Sequence, residues 1–267
     1  EGSSIMQERT YTFAMKSSIP LIDPRYNLGR IVELTELAFD LSEACSMPIF
    51  LNMRIRACHL TGNFVTKDNK IGRYNANNPV PEQNYDVEKI VLPPATYQHE
   101  KAKFDDRLPA ARLFAKENGF NEHFPGDGSH YGIVTQGGTH TVVLRALRRM
   151  GMADAYGNTD VPLLCLNLVY PLIPEEIEAF LSDKDHILVV EEGNPNYIET
   201  QIAEIAQRCK IGCAIHGKDM LPMAGEYVSN VVREGVAKFL TEVLPEGKES
   251  SAAKAETAIE NERAVAQ

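Results

Sequence analysis

The stretch from Tyr131 to Gly217 limits the folds open to this chain more than any other feature. Short apolar runs, "YGIVTQGG", "VPLLCLNLVYP", "HILVVEE" and "IGCAIHG", alternate with the amphipathic runs "THTVVLRALRRMG", "PEEIEAFLSD" and "NYIETQIAEIAQRC". Near-continuous apolar strands joined by helices suit a parallel sheet buried on both faces, because only a crossover connection joins parallel neighbours. The expected class is therefore α/β, with helices on both faces of a parallel sheet. Local signals place the helix ends. Thr139 is the expected N-cap of the first helix and Gly151 its stop, Pro174 opens the second, and Asn194 with Pro195 starts the third.

The earlier part reads differently. "IVELTELAFDLSEAC" (31–45) has the spacing of an amphipathic helix, and "PIFLNMRI" after it predicts a short strand ending in Arg54 and Arg56. A helix feeding a buried strand is half of a βα layer whose other strands lie outside this sequence. Residues 63 to 87 hold six asparagines and almost no apolar run, the composition of a long surface connection, so a domain boundary is expected there. "ATYQHEKAKFDDRLPAARLFAKEN" predicts one or two amphipathic helices, with Pro109 as a break or a first-turn residue. Beyond Pro245, five acids, three bases and no aromatic residue predict a tail or linker unable to stay ordered alone.

Composition excludes several function classes. The 267 residues, 43% hydrophobic and 24% charged, suit a soluble globular protein with one large or two modest domains. A net charge of −10 with scattered Lys and Arg argues against nucleic acid as a partner, since phosphate contacts need clustered cations. No apolar run approaches the roughly 20 residues of a membrane span. The opening "EGSSIMQERT" lacks an initiator Met and a signal-peptide pattern, so it reads as the interior of something longer. The five cysteines form no Cys-x-x-Cys and the histidines no His-x-x-x-His. Reduced thiols, a cytoplasmic location and no metal site are the expectation.

Three segments sit where a doubly wound sheet presents ligands. "TQGGTH" could cradle a phosphate on backbone amides, but it lacks the third glycine of a dinucleotide fingerprint and the lysine of a P-loop. Glu191 and Glu192 are adjacent carboxylates at a strand end. Strand side chains alternate, so the two cannot share a proton there. One is expected to face a neighbouring element and the other the following helix start, where the dipole favours negative charge. In "RIRACHLTGN", Arg56 could anchor a carboxylate and His59 could move a proton, against the alternative that both are satisfied at a domain seam.

A series of motifs carries a family resemblance: "SSIMQERTYTFAMKSSIPLIDPR", "VELTELAFDLSEACSMPIFL", "RIRACH", "LPPATYQHEKAKF", "YGIVTQGG", "YPLIPEEIEAFL", "ILVVEEGNPNYIETQI" and "GKDMLPMAGEYV". In this order, over most of residues 3–240, the chain resembles the alpha subunit of indolepyruvate:ferredoxin oxidoreductases, within the thiamin-diphosphate-dependent 2-oxoacid:ferredoxin oxidoreductases. The resemblance implies the C-terminal half of a thiamin pyrimidine-binding domain over 1–66, a linker with an amphipathic helix over 67–127, a doubly wound transketolase C-terminal-like domain over 128–241, and a tail over 242–267. It implies oxidative decarboxylation of an aryl-pyruvate to an acyl-CoA. Thiamin diphosphate with Mg²⁺, iron–sulfur clusters and coenzyme A would be held mainly by segments absent here. Ferredoxin and the remaining segments or subunits, in a homo- or hetero-oligomer, would be the partners. Among site residues it implies a pocket rim of Gln7, Arg9, Lys16, Arg56 and His59, with Gln7–Lys16 as a loop. Met15 stands where relatives carry an arginine, which weakens a substrate-carboxylate role for that loop. Glu191, Glu192, Glu199 and Gln201 match the family's "EE…E-x-Q" pattern, a structural or interface role. A non-catalytic assembly module and a nucleotide or acyl-phosphate binder using "TQGGTH" are the competing functions.

Overall fold

The structure is a computed structural model, which describes residues 10–69, 71–72, 75–82, 86 and 90–244. The chain begins with helix α1 (Thr10–Ser17), strand β1 (Leu21–Ile22), helix α2 (Leu28–Cys45), strand β2 (Phe50–Leu51) and a one-turn helix α3 (Ile55–Cys58). Next come α4 (Ala95–Ala102), a π turn over Lys103–Arg107 and α5 (Leu108–Glu117). The rest is β3 (Glu122–Phe124), β4 (Tyr131–Gln136), a 3₁₀ turn at Gly137–Thr139, α6 (His140–Arg149), β5 (Leu163–Leu166), β6 (Leu168–Tyr170), α7 (Pro174–Leu181), β7 (His186–Val190), α8 (Tyr197–Cys209), β8 (Ala214–His216) and α9 (Ser229–Val243).

The expected doubly wound sheet is present, in the order β3-β5-β4-β7-β8. β5, β4, β7 and β8 are parallel, and β3 adds an antiparallel edge that the apolar runs did not announce. Alternation along the strands sorts their side chains between two cores. Ile133, Leu163, Leu188 and Val190 pack with α6 and α9. Val134, Leu164, Leu166, Ile187 and Val189 pack with α1, α7 and α8. All six residues of β4 are buried, as a central strand covered on both faces requires.

A second sheet has the order β2-β1-β6, with β1 parallel to β2 and antiparallel to β6. Its β6 continues the chain of β5 after a break at Asn167, so one stretch of backbone serves both sheets. Asn167 satisfies the polar groups at this break. Its carbonyl accepts from Asp23 N at 2.8 Å, its side-chain oxygen from Arg25 N at 2.8 Å, and its amide donates to Phe120 O at 2.8 Å. A third core, Ile22, Leu34 and Leu41 against Leu108, Ala111 and Phe120, fills the space between α2 and α5.

Several local expectations need correction. The strand predicted over "PIFLNMRI" is only two residues long, and Arg56 lies on a helix rather than at a strand end. Of the two alternatives for Pro109 the structure shows the first-turn one: it lies in the first turn of α5, and the irregularity in the helical stretch is the π turn before it. Thr139 does not cap α6 with its side chain; its hydroxyl donates instead to Gln136 O at 2.7 Å and Val190 O at 3.0 Å. Residues 10–17, expected as loop, form α1, whose Tyr11 stacks on Tyr197 at 5.5 Å. The expectations for the tail after Pro245 fall outside the described residues, and those for residues 63–87 do so in part.

Candidate functional site

In this strand order the chain leaves β4 toward both sides of the sheet, so a crevice is expected at the carboxyl ends of β4 and β7. Here the chain's own N-terminal segment fills it. A Cβ on Gly137 would land on the Asp23 carbonyl oxygen, and one on Gly138 would lie 2.8 Å from the Tyr26 ring and hydroxyl. The glycines of "TQGGTH" therefore make room for the Asp23–Tyr26 backbone and ring. Close packing accounts for both glycines, as the tight-turn alternative to a phosphate cradle requires.

Glu192 and Arg54 build the centre of this contact. Arg54 is 2% exposed in its side chain, Asp23 1% and Glu192 4%. The Arg54 guanidinium donates to Asp23 from Nε at 3.0 Å and from Nη2 at 2.7 Å, and its Nη1 donates to Glu192. Burial alone would pull the guanidinium's pKa down, but Asp23 and Glu192 outweigh it and hold Arg54 firmly charged. The second oxygen of Glu192 accepts from Tyr227 N at 2.7 Å, and its backbone amide donates to Gln136 at 3.2 Å. Arg56 stands 3.9 Å from the same carboxylate and pairs with Glu226. A buried cation paired with two carboxylates is costly to disrupt and holds its elements in one register.

Glu191 turns the other way, as alternation along a strand requires. Its carboxylate accepts from Ile198 N at 3.0 Å and from Glu199 N at 3.2 Å. It therefore caps α8, which begins at Tyr197; Asn194 and Pro195 lie outside the helix, contrary to expectation, and Asn196 at its start makes no side-chain cap bond. Burial pushes the Glu191 carboxyl up to about 7, against the amides of Ile198 and Glu199 and the ammonium of Lys218. Lys218, itself held below the usual lysine range by burial, donates to Glu191 O, to Gly193 O at 2.8 Å and to the Tyr227 hydroxyl at 2.8 Å. Glu199 accepts from Lys218 N at 3.0 Å, an approach that a Cβ on Gly217 would block. Gln201 donates to the Tyr11 hydroxyl at 2.5 Å and so ties α8 to α1.

The sequence-derived site residues thus separate. Glu192 and Gln201 join the N-terminal segment to the sheet domain through Arg54 and Tyr11, while Glu191 and Glu199 hold the start of α8 and the loop after β8. Arg56 joins them through Glu192 and Glu226. His59 ends α3 as an exposed residue, and Lys16 is exposed in the last turn of α1. Gln7 and Arg9 lie outside the described residues. Asp23, Arg54, Lys218 and Tyr227 were missed. The available signal was a charge shortly after each of two very short apolar strands: Asp23 directly after "LI" and Arg54 three residues after "FL".

These residues do not fit the cofactors implied by the family resemblance. Glu191 is spent on helix amides and Glu192 on Arg54, so neither carboxylate faces a ligand. Among the described residues no group of three or more His, Cys, Asp or Glu side chains could hold a metal ion. Cys45 and Cys165 are buried, and burial pushes the Cys165 thiol up to about 12. No described helix is long and apolar enough to cross a membrane.

No protein-family model matches the chain. It is 27% identical over 241 residues to the indolepyruvate oxidoreductase subunit IorA of Methanothermobacter thermautotrophicus, covering 88% of this chain and 36% of that protein. The subunit of the same name from Pyrococcus horikoshii is 25% identical over 247 residues, covering 89% and 36%. That from Archaeoglobus fulgidus is 25% identical over 240 residues, again 89% and 36%. The chain spans little more than a third of the length of the curated relatives it matches. Among solved structures, a 2-oxoglutarate:ferredoxin oxidoreductase from Magnetococcus marinus is similar at TM-score 0.48 and 14% identity, covering 82% of this chain and 42% of that one. A split-gene transketolase is similar at 0.43 and 14%, covering 84% and 57%. The resemblance carried by the motif series is thus borne out in sequence: this chain is similar, along both of its sheets, to indolepyruvate oxidoreductase IorA subunits.

Proposed function

We propose that this chain is the central portion of the large subunit of a 2-oxoacid oxidoreductase, acting on an aryl-pyruvate such as indolepyruvate. The whole enzyme would decarboxylate the 2-oxoacid oxidatively to an acyl-CoA and pass electrons to ferredoxin. The collinear match over 241 residues to a subunit of that name carries the reading. Residues up to about 66 then belong to the pyrimidine-binding domain and 128–241 to the transketolase C-terminal-like domain. Because the described carboxylates and cysteines do not fit a metal ion or an iron–sulfur cluster, those groups, with thiamin diphosphate and coenzyme A, are assigned to other segments of the enzyme. No chemical step is routed through this chain. Its own contribution is positional. Arg54, Asp23 and Glu192 lock the N-terminal segment onto the sheet's carboxyl edge, and Glu191 with Lys218 fixes the loops after β7 and β8.

The competing reading, a purely architectural module of a thiamin enzyme, is favoured by one observation: both candidate carboxylates are consumed in holding the chain together. Two measurements separate the readings. Titration calorimetry of this chain with thiamin diphosphate and Mg²⁺ should show no binding, and micromolar binding would overturn the assignment of those groups elsewhere. The chain combined with the remaining oxidoreductase segments should reduce a viologen dye when given indolepyruvate and coenzyme A. Absence of that activity with every 2-oxoacid tried, in an assembly that forms, would leave the architectural module.

A further inference from the structure

A cleft of about 350 Å³ opens between α3, the first turns of α6 and α9, and the segment carrying Tyr26. Tyr26, whose ring packs against Gly138 in the filled crevice, also lines this cleft. Two arginines line it, Arg56 and Arg145, together with Thr141 and Ser229. Glu226 is its single lining carboxylate, and this group pairs with Arg56.

Arg145 is different. It is exposed, its hydrogen bond is a long one to Ser229 Oγ at 3.4 Å, and among the described residues it has no carboxylate partner. Leu60, Val142 and Val228 contribute apolar lining. Planar guanidinium groups grip carboxylates and phosphates through paired N–H donors, and a concave site with a few convergent polar groups on an apolar wall suits a small organic ligand.

We propose that this cleft binds an anionic group, carboxylate or phosphate, borne on a small body with an apolar face. Arg145 is the principal contact, and Arg56, which stays with Glu226 and the Tyr227 carbonyl, lines the same cleft. The site stands on the cleft and its two cations and does not depend on the oxidoreductase reading.

Binding is measured by NMR or calorimetry on the whole chain. The probes are phenylacetate, its uncharged amide phenylacetamide, and inorganic phosphate. Phenylacetate should bind and phenylacetamide should not. Arg145→Gln, an exposed substitution that leaves the cores intact, should weaken phenylacetate by about tenfold or more, the loss expected for one charge-assisted contact. Displacement of phenylacetate by phosphate alone would support a phosphate-bearing ligand, and its failure to compete a carboxylate. Equal binding of the acid and the amide, unchanged binding by Arg145→Gln, or no binding of any probe at millimolar concentration would overturn the proposal.

Discussion

Replacing Arg54 with Met tests the central claim that a buried ion network joins the N-terminal segment to the sheet. The three side chains involved are between 1% and 4% exposed, so water cannot take over the guanidinium's part. Arg54 makes a two-nitrogen contact with Asp23 and a further one with Glu192. Methionine keeps much of the apolar stem, so the cavity contribution is small. What remains is two buried carboxylates without their cation, and breaking a buried pair in this way costs about 3–5 kcal/mol. For a chain of this size, each kcal/mol lowers the melting temperature by roughly 2–4 °C. The expected fall is therefore roughly 6–20 °C. Urea and thermal melts measure it, and limited proteolysis should show early cutting between residues 18 and 60. The triple variant Asp23→Asn, Arg54→Met, Glu192→Gln removes the stranded charges and should recover part of the loss. A single variant within about 1 kcal/mol of the parent, or a triple variant no better than the single, would refute the reasoning.

Gly138→Ala should cost about 1–3 kcal/mol by crowding Tyr26, and most of that cost should vanish in a Tyr26→Ala background. An unchanged penalty in the double variant would mean the glycine serves the turn and not the ring. Glu191 titrates in the folded chain near 7 because it is buried, above its unfolded value of 4.5. Its contribution to stability is thus whole below pH 4.5 and is lost as pH rises through 7. The stability of the parent minus that of Glu191→Gln should fall across this window, a difference that cancels His140, which burial and Arg25 hold down at about 4. A flat difference would show that the carboxyl is not held in its protonated form by burial. Of the thiols, exposed Cys58 should react quickly with an aromatic disulfide reagent, while Cys45 and Cys165 should react only on unfolding. Fast native labelling of Cys165 would contradict the sheet core.

What could be read from the sequence follows from the range of the forces involved. The parallel sheet was legible because β4, β5 and β7 are buried on both faces and carry unbroken apolar runs. Strand β3, "EHF", is a three-residue edge with no such run, and only its pairing with β5 makes it a strand. Helix α9 was missed although Val232, Val236, Phe239 and Leu240 have helical spacing and are buried together. The signal was present there and went unread. In the site, alternation alone showed that Glu191 and Glu192 diverge. Their partners were not legible, because Arg54 lies far along the chain from Glu192 and a long-range ion pair leaves no local pattern. The two glycines of "TQGG" were visible but ambiguous, since a tight turn, a bound anion and a close-packed ring all call for a missing side chain.

The strand that passes through Asn167 from one sheet into the other carries a cost in time. Leu21 finds its antiparallel neighbour in Tyr170, about 150 residues downstream, a separation that slows closure. A ribosome adding about 5–20 residues per second emits Leu21 many seconds before Tyr170 exists. The small sheet is thus completed only after most of the chain between them has been made. During that wait its β1–β2 pair offers an open edge, the kind of surface that chaperones shield.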